Sequence, residues 1–101
     1  MQTTITARHC EISDALRERA AAVVDRLGTF ATRPIEATVV FDEDGLRRTA
    51  EIRLHVAGGE VLVASGEADD HRSALDRAEE KLRRQVEKTV RPRRSRPSQA
   101  L

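Results

Sequence analysis

Five cations recur at three- and four-residue steps near the end of this 101-residue chain: Arg77, Lys81, Arg84, Lys88 and Arg91. On a helix turning about 100° per residue they share a sector of about 80°, so their charges line one face. At roughly 1.5 Å per residue the row runs about 21 Å, long enough to follow several phosphates and release their counterions. Like charges at these spacings repel one another, a cost that a bound anion removes. Asp76, Glu79, Glu80 and Glu87 occupy a flank, with Glu80 in reach of Arg84. Arg93 and Arg94 continue the positive charge, and Arg8 and Arg26 are further candidate contacts nearer the N-terminus. The chemistry on offer is recognition of a polyanion, with RNA phosphate as the expected ligand. Only Phe30 and Phe41 are aromatic, and both are expected in core or packing positions. Backbone recognition of folded RNA therefore fits better than base stacking.

Other chemistries fit less well. His9, Cys10, His55 and His71 are potential metal ligands, yet their spacing matches no zinc pattern, and His9 and Cys10 are expected on opposite sides of a strand. No metal site is expected. Catalysis would need a nucleophile with its base, or a carboxylate pair in a cleft. Asp42, Glu43 and Asp44 read instead as a turn, and Asp69 and Asp70 as a helix cap. Gly58-Gly59 joins two apolar runs and does not open a helix, so it is no phosphate loop. Neither an enzyme nor a cofactor is expected.

The elements that must position the row follow from periodicity. Thr3 to His9 alternates around Ile5 and Ala7 as a first strand. Ser13 caps a helix with Leu16, Ala20, Val23, Val24 and Leu27 inward and Gly28 as its stop. Ile35, Ala37, Val39 and Phe41 alternate as a second strand, and Ala50, Ile52, Leu54 and Val56 as a third. Val61 to Ser65 returns as a fourth after the glycine turn, with its register open because Val61, Leu62 and Val63 are all apolar. Asp69 or Asp70 caps a last helix with Leu75, Ala78, Leu82, Val86 and Val90 inward, closed by Pro92. The fold class is α+β in the order β-α-β-β-β-α: a four-stranded mixed sheet with two helices packed on one face and a largely polar opposite face. Residues 1–91 form the single domain, and residues 92–101 read as a flexible basic tail.

Net charge is only +1, but it is unevenly spread. Residues 1–41 are neutral, residues 42–80 are strongly acidic, and residues 81–101 carry eight cations against Glu87 alone. A hydrophobic fraction of 39% beside 35% charged residues suits a small globular protein with a heavily solvated surface. No apolar run approaches the roughly 18 residues of a membrane span, and the N-terminus lacks signal-peptide character, so a cytoplasmic location is expected. The lone Cys10 forms no intramolecular disulfide.

Several stretches resemble the ribosome hibernation-promoting factor family, also called the ribosome-associated inhibitor or sigma-54 modulation family. Ile5-Thr6-Ala7-Arg8-His9 followed by Ser13-Asp14-Ala15-Leu16-Arg17 looks like its first strand and helix start. Arg33-Pro34-Ile35-Glu36-Ala37 and Ala50-Glu51-Ile52-Arg53-Leu54-His55 look like its second and third strands. Ala68-Asp69-Asp70, leading through Ala74, Leu75 and Asp76 to Lys81-Leu82-Arg83-Arg84-Gln85-Val86, is similar to its final helix in spacing. His71-Arg72 stands where the family often has Met-Tyr, and Arg17, Arg19 and Arg26 make a thinner basic face than its usual Lys-rich first helix.

The resemblance implies an inhibitor that binds the small ribosomal subunit between head and body, where mRNA and the A- and P-site tRNAs lie. It would contact mainly 16S rRNA and protect idle ribosomes by steric occlusion during stress or stationary phase. A monomer is expected off the ribosome. The chain stops before the C-terminal dimerisation domain of long members, so self-driven ribosome pairing is not expected, while cooperation with a separate ribosome modulation factor stays open. A general double-stranded RNA-binding module and a regulatory adaptor protein remain the alternatives.

Overall fold

The computed structural model describes the backbone of residues 1–99 and the side chains of residues 1–88. Its elements are β1 (Gln2–Ala7), α1 (Asp14–Phe30), β2 (Pro34–Asp44), β3 (Arg47–Val56), β4 (Val61–Ala68) and α2 (His71–Gln99). The strands form one sheet in the order β1-β2-β3-β4. β1 runs parallel to β2, as a helical crossover permits, and the two hairpins make the remaining pairs antiparallel. The expected mixed sheet and element order are therefore present.

Cross-strand rows explain where the helices sit. Ala37, Leu54 and Leu62 align across β2, β3 and β4; so do Val39, Ile52 and Ala64, and then Phe41, Ala50 and Gly66. These rows form the inner face, and Phe41, Ile52 and Leu54 are fully buried beneath the two helices. The register left open for β4 is settled by this pairing: Leu62 is buried, whereas Val61 and Val63 are exposed. The opposite face carries Thr38, Thr49, Glu51, Arg53 and Ser65 and is largely polar, as expected.

The inward side chains of β4 shrink from Leu62 through Ala64 to Gly66, and α2 comes in close over them. At Gly66 an added Cβ would collide with the Ala74 carbonyl oxygen and lie 2.8 Å from the Ala78 nitrogen. The glycine is required by close approach and not by an unusual φ. Asp70 is the residue that caps α2: its Oδ2 accepts from the Ser73 amide at 3.0 Å, and its Oδ1 accepts from the Ser73 hydroxyl at 2.8 Å.

Several expectations need correction. Asp42, Glu43 and Asp44, expected as a turn, complete β2 and pair with Thr49, Arg48 and Arg47 of β3. α1 does not stop at Gly28 but runs to Phe30, because Gly28 stays helical beneath Met1 and Pro34, and the chain leaves through an extended Ala31. Phe30 is consequently not a core residue; it is 44% exposed, and the Arg83 guanidinium stacks over its ring at 4.6 Å. The backbone of α2 continues past Pro92 to Gln99, since a proline costs a helix one hydrogen bond without forbidding it. Among the described residues no helix is long and apolar enough to cross a membrane.

Candidate nucleic-acid interface

Ala78, Leu82 and Val86 pin one side of α2 to the sheet, and this decides where the cations go. Asp70 holds the helix start, so the rotational phase of α2 is set at both ends of its buried stretch. The next sector around the helix lies against the free edge of β4. There Arg77 Nη1 donates to the Glu67 carbonyl, Lys81 Nζ to the Ser65 carbonyl at 3.0 Å, and Gln85 Nε2 to the Val63 carbonyl at 2.7 Å. Four helical residues advance about 6 Å and two strand residues about 6.6 Å, so the two repeats stay in step over three contacts. The ladder covers carbonyls that would otherwise template another strand. At the other edge of the sheet, Arg17 Nη1 donates to the Ile5 carbonyl at 3.1 Å.

Hydrogen bonding to a carbonyl leaves the charge of Arg77 and Lys81 intact and most of their donors available. Both residues remain exposed, as do Arg84 and Lys88 further along α2. Arg84 pairs with Glu80 one turn back, and Lys88 has no ion-pair partner among the described residues. The side chains of Arg91, Arg93 and Arg94 lie outside the described residues, although their backbone continues α2.

Two of the acids on the flank of α2, Asp76 and Glu79, face α1. Arg19 meets Asp76 at 2.8 Å, and Arg26 grips Glu79 through both of its carboxylate oxygens at 3.0 to 3.2 Å. Two of the negative charges that could have neutralised the row are therefore consumed on the other side of the helix. Arg26 is brought to that side and not into the row. Arg8 lies on the outer sheet face, 3.4 Å from Asp42, in a shallow cleft that it shares with Arg47, Arg77 and Lys81. Asp42, Glu51 and Glu67 also line this cleft, so its charge is mixed.

Sequence reasoning missed Gln85, Gly66 and Arg47. The four-residue step from Arg77 through Lys81 to Gln85 was the available signal for the first, and an isolated glycine inside a strand pattern for the second. Nothing in the local sequence around Arg47 marks it as a cleft residue.

Charge regulation is modest and local. The Asp42 carboxyl is held below the usual aspartate range by a hydrogen bond from His9 and then by the Glu43 amide. Asp70 is lowered by its bonds from the Ser73 amide and hydroxyl. Burial pushes the Cys10 thiol up, and the nearby Glu43 and Asp42 carboxylates push it further.

Residues 3–94 match the family described as Sigma 54 modulation protein / S30EA ribosomal protein. The chain is 38% identical over 88 residues to the ribosome hibernation promoting factor of Escherichia coli K12, covering 87% of this chain and 92% of that protein. Its fold is similar to the Protein Y N-terminal domain of Thermus thermophilus, with a TM-score of 0.76 and 30% identity across 88% of this chain and 99% of the other. A ribosomal subunit interface protein from Coxiella burnetii shares the fold at a TM-score of 0.78 and 22% identity, covering 88% of this chain and 97% of its own. With the β-α-β-β-β-α sheet, the close-packed final helix and a match over residues 3–94, the chain belongs to the Sigma 54 modulation protein / S30EA ribosomal protein family.

Proposed function

We propose that this protein is a ribosome hibernation factor that binds the small subunit across the mRNA channel and the A and P sites, and holds idle ribosomes in a protected, non-translating state. The observation that carries the reading is the cation row of α2, whose flanking acids Asp76 and Glu79 are turned toward Arg19 and Arg26 of α1. The Arg77, Lys81, Arg84 and Lys88 side chains meet 16S rRNA phosphates, and Arg91, Arg93 and Arg94 extend that contact along the same helix. Arg8 reaches the RNA from the sheet face, and Arg26 contributes by holding Glu79 away from the row. The family match and the names of the relatives support ribosome association and, with it, a cytoplasmic location.

The action is occupancy without turnover, by a protein that is a monomer off the ribosome. A separate modulation factor is a candidate partner of the bound protein. The test is co-sedimentation with vacant 30S and 70S particles in rising salt, with tRNA as competitor. Pelleting that tRNA displaces supports the proposal. Failure to pellet at low salt overturns it, and so does equal affinity for plain RNA duplex, which would make this a general double-stranded RNA binder.

A further inference from the structure

Away from the cation row, Cys10, Glu43 and His71 arrive from three separate stretches of chain and converge where β1 leads into α1, β2 ends and α2 begins. One Sγ, one carboxylate oxygen and one imidazole nitrogen lie within 4.8 Å of one another, and all three residues are half-buried. The Cys10 Sγ stands 3.9 Å from His71 Nε2.

Each donor is held by the fold. His9 takes φ +58°, a left-handed conformation unusual outside glycine, and its Nδ1 lies 3.1 Å from Asp42 Oδ1. This bend turns the chain so that Cys10 faces the start of α2. The strand alternation expected for His9 and Cys10 is broken at that point, because β1 ends at Ala7. Glu43 follows Phe41 on the inner face of β2, and its one ion-pair partner among the described residues is Arg48 at 3.6 Å. His71 opens α2 with its ring edge-on to Phe41 at 5.5 Å.

We propose that Cys10, Glu43 and His71 form a three-ligand site for a borderline-soft divalent cation of the zinc class, with a fourth position for water. One sulfur, one nitrogen and one oxygen donor suit such an ion, whereas magnesium and calcium select all-oxygen shells. Bond lengths of about 2.0 to 2.3 Å place tetrahedral ligand atoms roughly 3.3 to 3.8 Å apart, so the three donors close by about 1 Å through side-chain rotation. On binding, the Cys10 thiol gives its proton to solvent. His71 Nε2 exchanges its 3.0 Å contact with the Asp42 carbonyl for the cation, and the ring proton moves to Nδ1. The bound ion ties three chain segments together and stabilises the fold by linkage.

Cys10 is the chain's sole cysteine, so a thiolate-to-cobalt charge-transfer band reports this site alone. The full, untagged, reduced protein is titrated with Co²⁺ and then Zn²⁺, with Mg²⁺ as the comparison. One Co²⁺ per chain should produce the band, Zn²⁺ should displace it, and Mg²⁺ should not. Zn²⁺ should raise the melting temperature of the parent but not of Cys10→Ser. Affinity should fall about tenfold or more in Cys10→Ser and Glu43→Gln, and stay unchanged in His55→Ala. No band at equimolar Co²⁺, one metal per two chains, or an affinity unchanged in Cys10→Ser overturns the proposal. Should His71→Ala fail to fold for want of its Phe41 contact, Glu43→Gln still decides the outcome.

Discussion

Lys81 Nζ reaches across from α2 to the Ser65 carbonyl on the free edge of β4, 3.0 Å away. A residue of the phosphate-directed row is therefore also a structural donor, held in place by the strand whose edge it covers. Arg77 and Gln85 make the equivalent contacts one turn before and after it. The two roles separate experimentally, because a neutral donor can keep the hydrogen bond while losing the charge.

Lys81→Gln should leave the thermal midpoint nearly unchanged, since Gln85 already spans the same gap to Val63. Ribosome binding should weaken and lose close to one unit of log–log salt slope. Combining Lys81→Glu with Lys88→Glu should weaken binding further and flatten the slope more. Pelleting assays at several salt concentrations give the number, and an unaltered slope would make the row a solvated surface only.

Gly66→Ala should destabilise the protein by about 1–3 kcal/mol, the usual cost of overpacking a tight contact. The new methyl would meet backbone atoms of Ala74 and Ala78, which move only if α2 shifts as a whole. Urea denaturation measures the loss. A Gly66→Ala variant as stable as the parent would mean that α2 rides higher above β4 than the structure has it.

Arg26 and Glu79 should show a coupling of about 0.5–1 kcal/mol in a double-mutant cycle, discounted for the solvent exposure of the arginine. Arg26→Gln alone should reduce ribosome binding far less than Lys81→Gln, because Arg26 points toward α1's contact with α2. Equal losses from the two variants would show that Arg26 reaches RNA directly.

Acid should destabilise the fold through Asp42 and Asp70, both held below the usual aspartate range by their hydrogen bonds. Protons then prefer the unfolded chain. The stabilisation is complete above the unfolded value of about 3.9 and is lost as pH falls through the lowered folded values. Asp70→Asn keeps a good cap and removes one titration, so its urea midpoint should match the parent near neutrality and fall less steeply in acid. An acid limb as steep as the parent's would rule out Asp70 as a contributor.

Periodicity alone determined most of the architecture. Ala50, Ile52, Leu54 and Val56 announce a strand, and Leu75, Ala78, Leu82 and Val86 a helix, because a residue's burial depends on which way its own backbone points it. The same local rule placed Arg77, Lys81, Arg84 and Lys88 on one face of α2.

Only the tertiary structure decided what that face meets. The free edge of β4 lies beside Arg77 and Lys81, α1 takes up Asp76 and Glu79, and three stretches of chain bring together Cys10, Glu43 and His71. Phe30 shows the same division, with a helical position readable locally and an exposed site beside Arg83 that was not. These partners lie many residues apart in the chain. Their meeting depends on how closely α2 approaches the sheet, a distance set by Gly66, whose missing side chain leaves no periodic trace in the sequence.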